Sequence, residues 1–207
     1  MTEEKKTLIT ETVRPLVSEK RFRHILGVYA ECEYYADAFG LAEPDREDLL
    51  TAALLHDIAK SVPMEEQLAL CARYGIDAGG TTEATVHELG GAALARERLG
   101  SGIVNDAVFH AILCHTTGSP DMTTVDRLLF LADMTEPGRS YDFCRELREY
   151  LHTECERLYP LSKQDGESLQ KEACRRAIDF TVSTLSESGN AVDKRTLAAR
   201  EALFAGY

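Results

Sequence analysis

No stretch of the 207-residue chain sustains the apolar/polar alternation, bounded by turn residues, that a half-buried strand needs. Apolar residues recur every three or four positions instead, and glycine or proline interrupts each run. Residues 21–39 carry Ile25, Val28, Tyr29, Cys32, Tyr35, Ala36 and Phe39 at helical spacing, and Gly40 follows as a stop. Pro44 opens a second helix running through Leu49, Leu50, Ala53 and Leu54 towards Lys60. Pro63 opens a third, closed by Gly75. Residues 77–82, rich in Gly and Thr, form a loop. Further helices are predicted over 83–99, 103–114, 124–134, 142–158, 166–186 and 193–204, each bounded by Gly, Pro or Ser. There is no internal repeat and no low-complexity segment. The pattern predicts an all-α fold, and 207 residues suit a single unit with a sizeable core.

Composition narrows the partners. Twenty-three Lys and Arg against 35 Asp and Glu leave a formal charge of −12. Such a surface argues against tracking a nucleic-acid polymer or an anionic membrane, yet it leaves room for a small anion in a locally positive pocket. The longest apolar stretches, 51–55 and 128–132, are too short to span a bilayer, and the first residues lead into no signal-like run. Six scattered cysteines without a C-x-x-C pair read as reduced thiols, and the expected compartment is the cytoplasm.

Polar residues in apolar surroundings mark a site. A His-Asp dipeptide alone means little, since chance yields about 0.4 such pairs in a chain of this composition. His56-Asp57, however, interrupts the run Ala52-Ala53-Leu54-Leu55 … Ile58-Ala59. A carboxylate buried there costs several kcal/mol unless a cation accompanies it. Asp133 repeats the anomaly after Leu128-Leu129-Phe130-Leu131-Ala132. Singly, each fits a helix cap or an Arg partner. Together, and with His24 opening the face His24/Val28/Cys32, they point to a shared metal. His87 precedes Gly90-Gly91, where a neighbouring helix or a ligand can approach closely. His115 stands at a helix end before Thr116-Thr117-Gly118, in a position expected to be accessible to substrate. His110 and His152 read as structural or exposed.

In order, His24, His56-Asp57, His87, His115 and Asp133 resemble the motif series of the HD-domain metal-dependent phosphohydrolases. The wording Leu54-Leu55-His56-Asp57-Ile58-Ala59-Lys60, His115-Thr116-Thr117-Gly118-Ser119-Pro120-Asp121-Met122 and Leu131-Ala132-Asp133-Met134-Thr135-Glu136-Pro137-Gly138-Arg139 is similar to the YqeK-type subfamily, as is Arg195-Thr196-Leu197-Ala198-Ala199-Arg200. The resemblance implies an HD-domain helical bundle, with the HD core over about 20–140 and additional C-terminal helices over about 141–207 of one unit. It further implies symmetrical hydrolysis of diadenosine tetraphosphate to two ADP, with iron as the metal. By matching position, the implied metal ligands are His24, His56, Asp57 and Asp133. Lys60, His87, His115 and Arg139 would meet the phosphates, with Asp57, Lys60, His87 and His115 as the catalytic set and His24 and Asp133 also facing substrate.

The donor types themselves suit iron, manganese or zinc. A bound ion would supply an activated water to attack phosphorus, while Lys60 and Arg139 neutralise charge. One ion with two substrate histidines is the preferred arrangement, and a second ion held through His87 and His115 is the alternative. Arg176 and Phe180, at i,i+4, are the candidate contacts for adenine. A homodimer through Tyr and Leu residues around Tyr141–Tyr159 is a further expectation. The rival functions are an HD phosphohydrolase acting on a mononucleotide or guanosine tetra/pentaphosphate, and a non-catalytic nucleotide-binding helical sensor. The intact donor set argues against the sensor.

Overall fold

A computed structural model describes residues 1–205, and among them are ten α-helices and no strand. They are α1 (Glu3–Val13), α2 (Glu19–Ala38), α3 (Asp45–Leu55), α4 (Met64–Arg73), α5 (Val86–Leu99), α6 (Asp106–Cys114), α7 (Thr124–Thr135), α8 (Asp142–Arg157), α9 (Lys163–Glu187) and α10 (Lys194–Phe204). The predicted all-α class therefore stands. None of these helices is long and apolar enough to cross a membrane.

The starts of the helices follow from their caps. Ser18, Asn105, Thr123, Ser162 and Asp193 each accept a backbone N–H of the first turn through a side-chain oxygen, and Thr123 forms a reciprocal capping box with Asp126. α7 is buried along nearly its whole length and packs against α2, α3, α6, α8 and α9, which makes it the axis of the bundle. α2 lays its face of Phe22, Ile25, Val28, Tyr29, Cys32, Tyr35 and Ala36 against α3 and α7. At the interface of α4 and α5, Gly90 lets the two helices approach. A β-carbon there would lie 2.7 Å from the Gln67 side chain.

Four differences from the sequence reading have local causes. α1 was not anticipated, although Thr2 caps it. α3 does not run to Lys60. It ends at Leu55, and residues 56–62 continue in tight turns closed by the bonds Ile58 N–H to Leu55, Lys60 N–H to Asp57 and Val62 N–H to Ala59. α5 and α6 each start three residues later than predicted. A threonine turn precedes α5, with Thr85 Oγ1 accepting the Thr82 N–H, and the Asn105 cap sets the start of α6.

The C-terminal helices return to the first half of the chain. α9 packs on α7 and α10 on α9. From α10, Arg195 pairs with the fully buried Glu88 of α5 at 2.8 Å, while Thr85 donates to Asp193. Burial pushes the Glu88 carboxyl up to about 7, against the opposing pull of Arg195 and of donors from Thr116 and Thr117. Replacing Arg195 by Leu strands that carboxylate. The expected result is a lower urea midpoint equivalent to about 3 kcal/mol, and an unchanged midpoint would show that α10 is not anchored through this pair.

Candidate metal centre

Five segments deliver their polar residues to one point. His24 comes from α2, His56 and Asp57 from the turn after α3, His87 from the first turn of α5, His115 from the end of α6, and Asp133 from α7. Asp57 lies at the centre. Its Oδ2 is 2.5 Å from Arg21 Nη1 and 3.5 Å from Nε2 of both His24 and His56. Its Oδ1 is 3.4 Å from His87 Nε2 and 3.9 Å from His115 Nε2. His24 Nε2 is 3.0 Å from Asp133 Oδ1 and 3.3 Å from His56 Nε2. Two overlapping donor groups thus share Asp57: His24/His56/Asp57 and Asp57/His87/His115.

Backbone geometry fixes which ring nitrogen faces the centre. His56 Nδ1 donates to the Ala53 carbonyl and His115 Nδ1 to the Ile112 carbonyl, each at 2.8 Å. A carbonyl only accepts, so in both neutral rings Nε2 carries a lone pair. Both Nε2 atoms lie within 4 Å of an Asp57 carboxylate oxygen. The His56 lone pair can accept from a protonated His24 Nε2 at 3.3 Å, whereas the His115 lone pair facing a carboxylate is repulsive unless a cation lies between them. His115 Nε2 is buried without a hydrogen-bond partner. The orphaned atom and the mixed imidazole/carboxylate set both fit a divalent transition metal.

The electrostatics have the same origin. Burial alone would raise the Asp57 carboxyl, but the positive charge of His56, His115 and His87 in their protonated forms holds it well below the usual carboxylate range. For Asp133, Arg139 and His24 likewise outweigh burial. Burial would lower His24, yet its bonds to Asp133 and Glu136 raise it to about 9. Burial and like-charged neighbours push His115 down to about 4 and His87 to about 2.

The flanking cations are in place. Lys60 Nζ lies 3.1 Å from both ring nitrogens of His87. Arg139 donates from Nε to the Asp133 carbonyl at 2.8 Å and from Nη2 to the Asp133 carboxylate. His115 is not accessible as expected from its turn. It is 1 % exposed, because Glu88 accepts the N–H groups of Thr116 and Thr117 and folds the turn inward.

Arg176 and Phe180 are not brought to the centre's cleft. Arg176 pairs with Glu172 and covers the Tyr150 ring, and Phe180 stacks on Phe143 at 3.9 Å. The expected Tyr and Leu surface is only partly present, with Tyr141 and Tyr159 exposed but Leu147 and Leu151 in the core. His110 and His152 are structural, bonded to Asp126 and Glu31. His110, Cys114 and Asp126 also approach one another, but a complete hydrogen-bond set accounts for them: His110 Nδ1 with Asp126, Cys114 Sγ to the His110 carbonyl, and the Thr123 N–H to Asp126.

Three contributors escaped the sequence reading: Arg21, Glu136 and Gly27. Glu136 Oε1 receives His24 Nδ1 at 3.1 Å, and its Oε2 accepts the Gly138 N–H at 2.6 Å. Gly27 stands three residues after His24 on the same face of α2, and a β-carbon there would lie 2.5 Å from Glu136 Oε2. The spacing His24/Gly27 was a readable signal, but its partner lies more than a hundred residues away.

A model of the HD domain matches residues 21–138. The chain is 30 % identical over 145 residues to a Bacillus subtilis protein named bis(5'-nucleosyl)-tetraphosphatase, symmetrical, covering 69 % of this chain and 75 % of that one. It is 29 % identical over 153 residues to a Halalkalibacterium halodurans protein of the same name, covering 70 % and 75 %. Among solved structures it is similar to a Clostridium acetobutylicum protein described as a predicted HD superfamily hydrolase involved in NAD metabolism, with a TM-score of 0.80, 27 % identity and full coverage of both chains.

Gly27→Ala tests the support beneath His24. The added methyl displaces Glu136, and metal affinity is expected to fall about 10- to 100-fold in competition with a chelator, with helicity by circular dichroism retained. Unchanged affinity would show that Glu136 does not orient His24.

Proposed function

The chain belongs to the HD-domain family, and on that premise we propose that it is a metal-dependent phosphohydrolase that cleaves diadenosine tetraphosphate symmetrically into two ADP. The names of the Bacillus subtilis and Halalkalibacterium halodurans relatives support the substrate. The observation that carries the chemistry is the buried, partnerless Nε2 of His115 beside Asp57, within two His/Asp donor groups that share that carboxylate.

His24, His56, Asp57 and Asp133 would hold the metal, and iron is the ion proposed, with manganese and zinc suited to the same donors. When bound, the metal supplies Lewis acidity and an activated water as nucleophile. Symmetrical cleavage breaks the central P–O–P bridge. The water oxygen bonds to one inner phosphorus, and the bridging oxygen leaves with the other half and takes up a proton. Arg139 and Lys60 neutralise the equatorial oxygens and hold the phosphates in line. Their present partners, Asp133 and His87, keep both cations at the rim of the centre.

One observation favours a second ion over a purely substrate-binding His115. Its only proton is committed to the Ile112 carbonyl, so its free nitrogen can accept or ligate but cannot donate to a phosphate oxygen. His87 and Asp57 Oδ1 complete that donor group. The proposal treats the HD core and the C-terminal helices as one unit and places it in the cytoplasm, to which six buried free thiols are suited. It includes a homodimer through the surface around the exposed Tyr159.

Product analysis by mass spectrometry after reconstitution with Fe(II), Mn(II) or Zn(II) tests this reading. ADP is the sole product expected from diadenosine tetraphosphate, and ATP with AMP would refute the cleavage position. Asp57→Ala is expected to lose both metal and activity. Retained activity in that variant would remove the metal assignment.

A further inference from the structure

The cleft beside His24 carries more positive charge than a metal centre requires. It encloses about 680 Å3 and presents Lys20, Arg21, Arg23 and Arg139 against one carboxylate, Glu136. That carboxylate is already occupied by His24 and the Gly138 N–H. Arg21 and Arg139 are paired with Asp57 and Asp133. Lys20 and Arg23 are exposed and have no ion-pair partner among the described residues. Other exposed bases divide: Arg73 pairs with Glu97 and Arg200 with Asp179, while Arg98 and Lys163 stand apart on other faces without an ion-pair partner among the described residues. In a chain with 35 acidic side chains, two unpaired cations on one rim leave room for an anion from outside.

The helix beneath that rim sharpens the point. Ser18 caps α2, and Lys20 and Arg21 occupy its first turn. Glu19 also stands in that turn but is paired with Arg14, so Lys20 and Arg21 oppose the dipole of the twenty-residue helix, an arrangement that a bound anion would relieve. Across the cleft, Tyr141 follows Arg139 and Ser140 at the start of α8 and is 70 % exposed. A bare aromatic ring beside phosphate-sized positive charge is the pairing that recognises a nucleotide, with the base on the ring and the phosphates on the cations.

We infer that this cleft binds the second nucleoside diphosphate half of the substrate, with Lys20 and Arg23 on its phosphates and Tyr141 stacked on its base. The scissile bridge then lies at the metal centre, and the far half extends over the N-terminus of α2. These three residues give the site its preference for a dinucleoside polyphosphate over a mononucleotide. The base contact accordingly belongs to Tyr141, while Phe180 stays in its stack with Phe143. The position of the scissile bond rests on the phosphohydrolase reading above, whereas the ligand class rests on the cleft.

Fluorescence titration of the metal-loaded full-length protein with ethenoadenosine diphosphate separates the two. Tyr141→Ala is expected to weaken binding about tenfold and Tyr141→Phe to retain it. The double variant Lys20→Ala/Arg23→Ala is expected to weaken binding about tenfold and to flatten its salt dependence. Phe180→Ala should bind as the parent does. No binding by the parent, wild-type affinity in Tyr141→Ala and the double variant, or a loss in Phe180→Ala alone would overturn the inference. If the parent binds through Tyr141 yet leaves diadenosine tetraphosphate intact, the phosphohydrolase reading fails and the cleft assignment stands.

Discussion

Asp57 carries a negative charge in the packed interior, 3 % exposed, and that charge cannot persist there without positive partners converging on it. Arg21 supplies one, and four imidazoles close the remaining approaches. Because those groups come from α2, α5, α6 and the turn after α3, the helices must cross where their polar ends meet, and α7 adds Asp133 from the axis of the bundle. Apolar packing surrounds this point without entering it. In the described chain, cations and the raised proton affinity of His24 balance the two carboxylates, and a metal would replace that proton.

The fold was largely legible because helical periodicity is a local property. Gly40, Gly75 and Gly100 stand at or just beyond helix ends, where the sequence suggested stops, and Pro63 stands at the helix start it was read to open. The end of α3 was not legible, since apolar residues continue on both sides of His56-Asp57 as far as Ala59 and no breaker falls before Pro63. What ends the helix there is turn geometry that sets His56 and Asp57 side by side facing the other histidines, and that depends on residues far along the chain. The burial of His115 has a similar origin. Its turn looks flexible until Glu88, 28 residues earlier, collects the N–H groups of Thr116 and Thr117. The donor residues themselves could be found by chemistry, as carboxylates and imidazoles in apolar company. Their supports could not, for Glu136 beneath His24 and Arg21 beside Asp57 look like ordinary surface charges in the sequence. Arg176 and Phe180 illustrate the opposite error, because an i,i+4 pair on one face is first of all a packing pattern.

The overall charge of −12 and the local charge of the cleft do different work. Dispersed acidity repels extended polyanions over many Debye lengths of surface, whereas four basic residues within one cleft act only on what fits inside it. On the proposed function, a compact phosphate chain is the anion such a cleft would admit. The same partition explains why Lys60 and Arg139 face inward at the rim, each held by a group of the centre itself.

The central claim is that Asp57 is the anchor of a metal site shared by five segments of the fold. Anomalous X-ray diffraction from crystals loaded with Fe(II) or Mn(II) tests it most directly. The account predicts a strong anomalous peak within bonding distance of Asp57, His24, His56 and Asp133, and a second beside His87 and the partnerless Nε2 of His115. A peak at His110, Cys114 and Asp126 with none at Asp57 would contradict it.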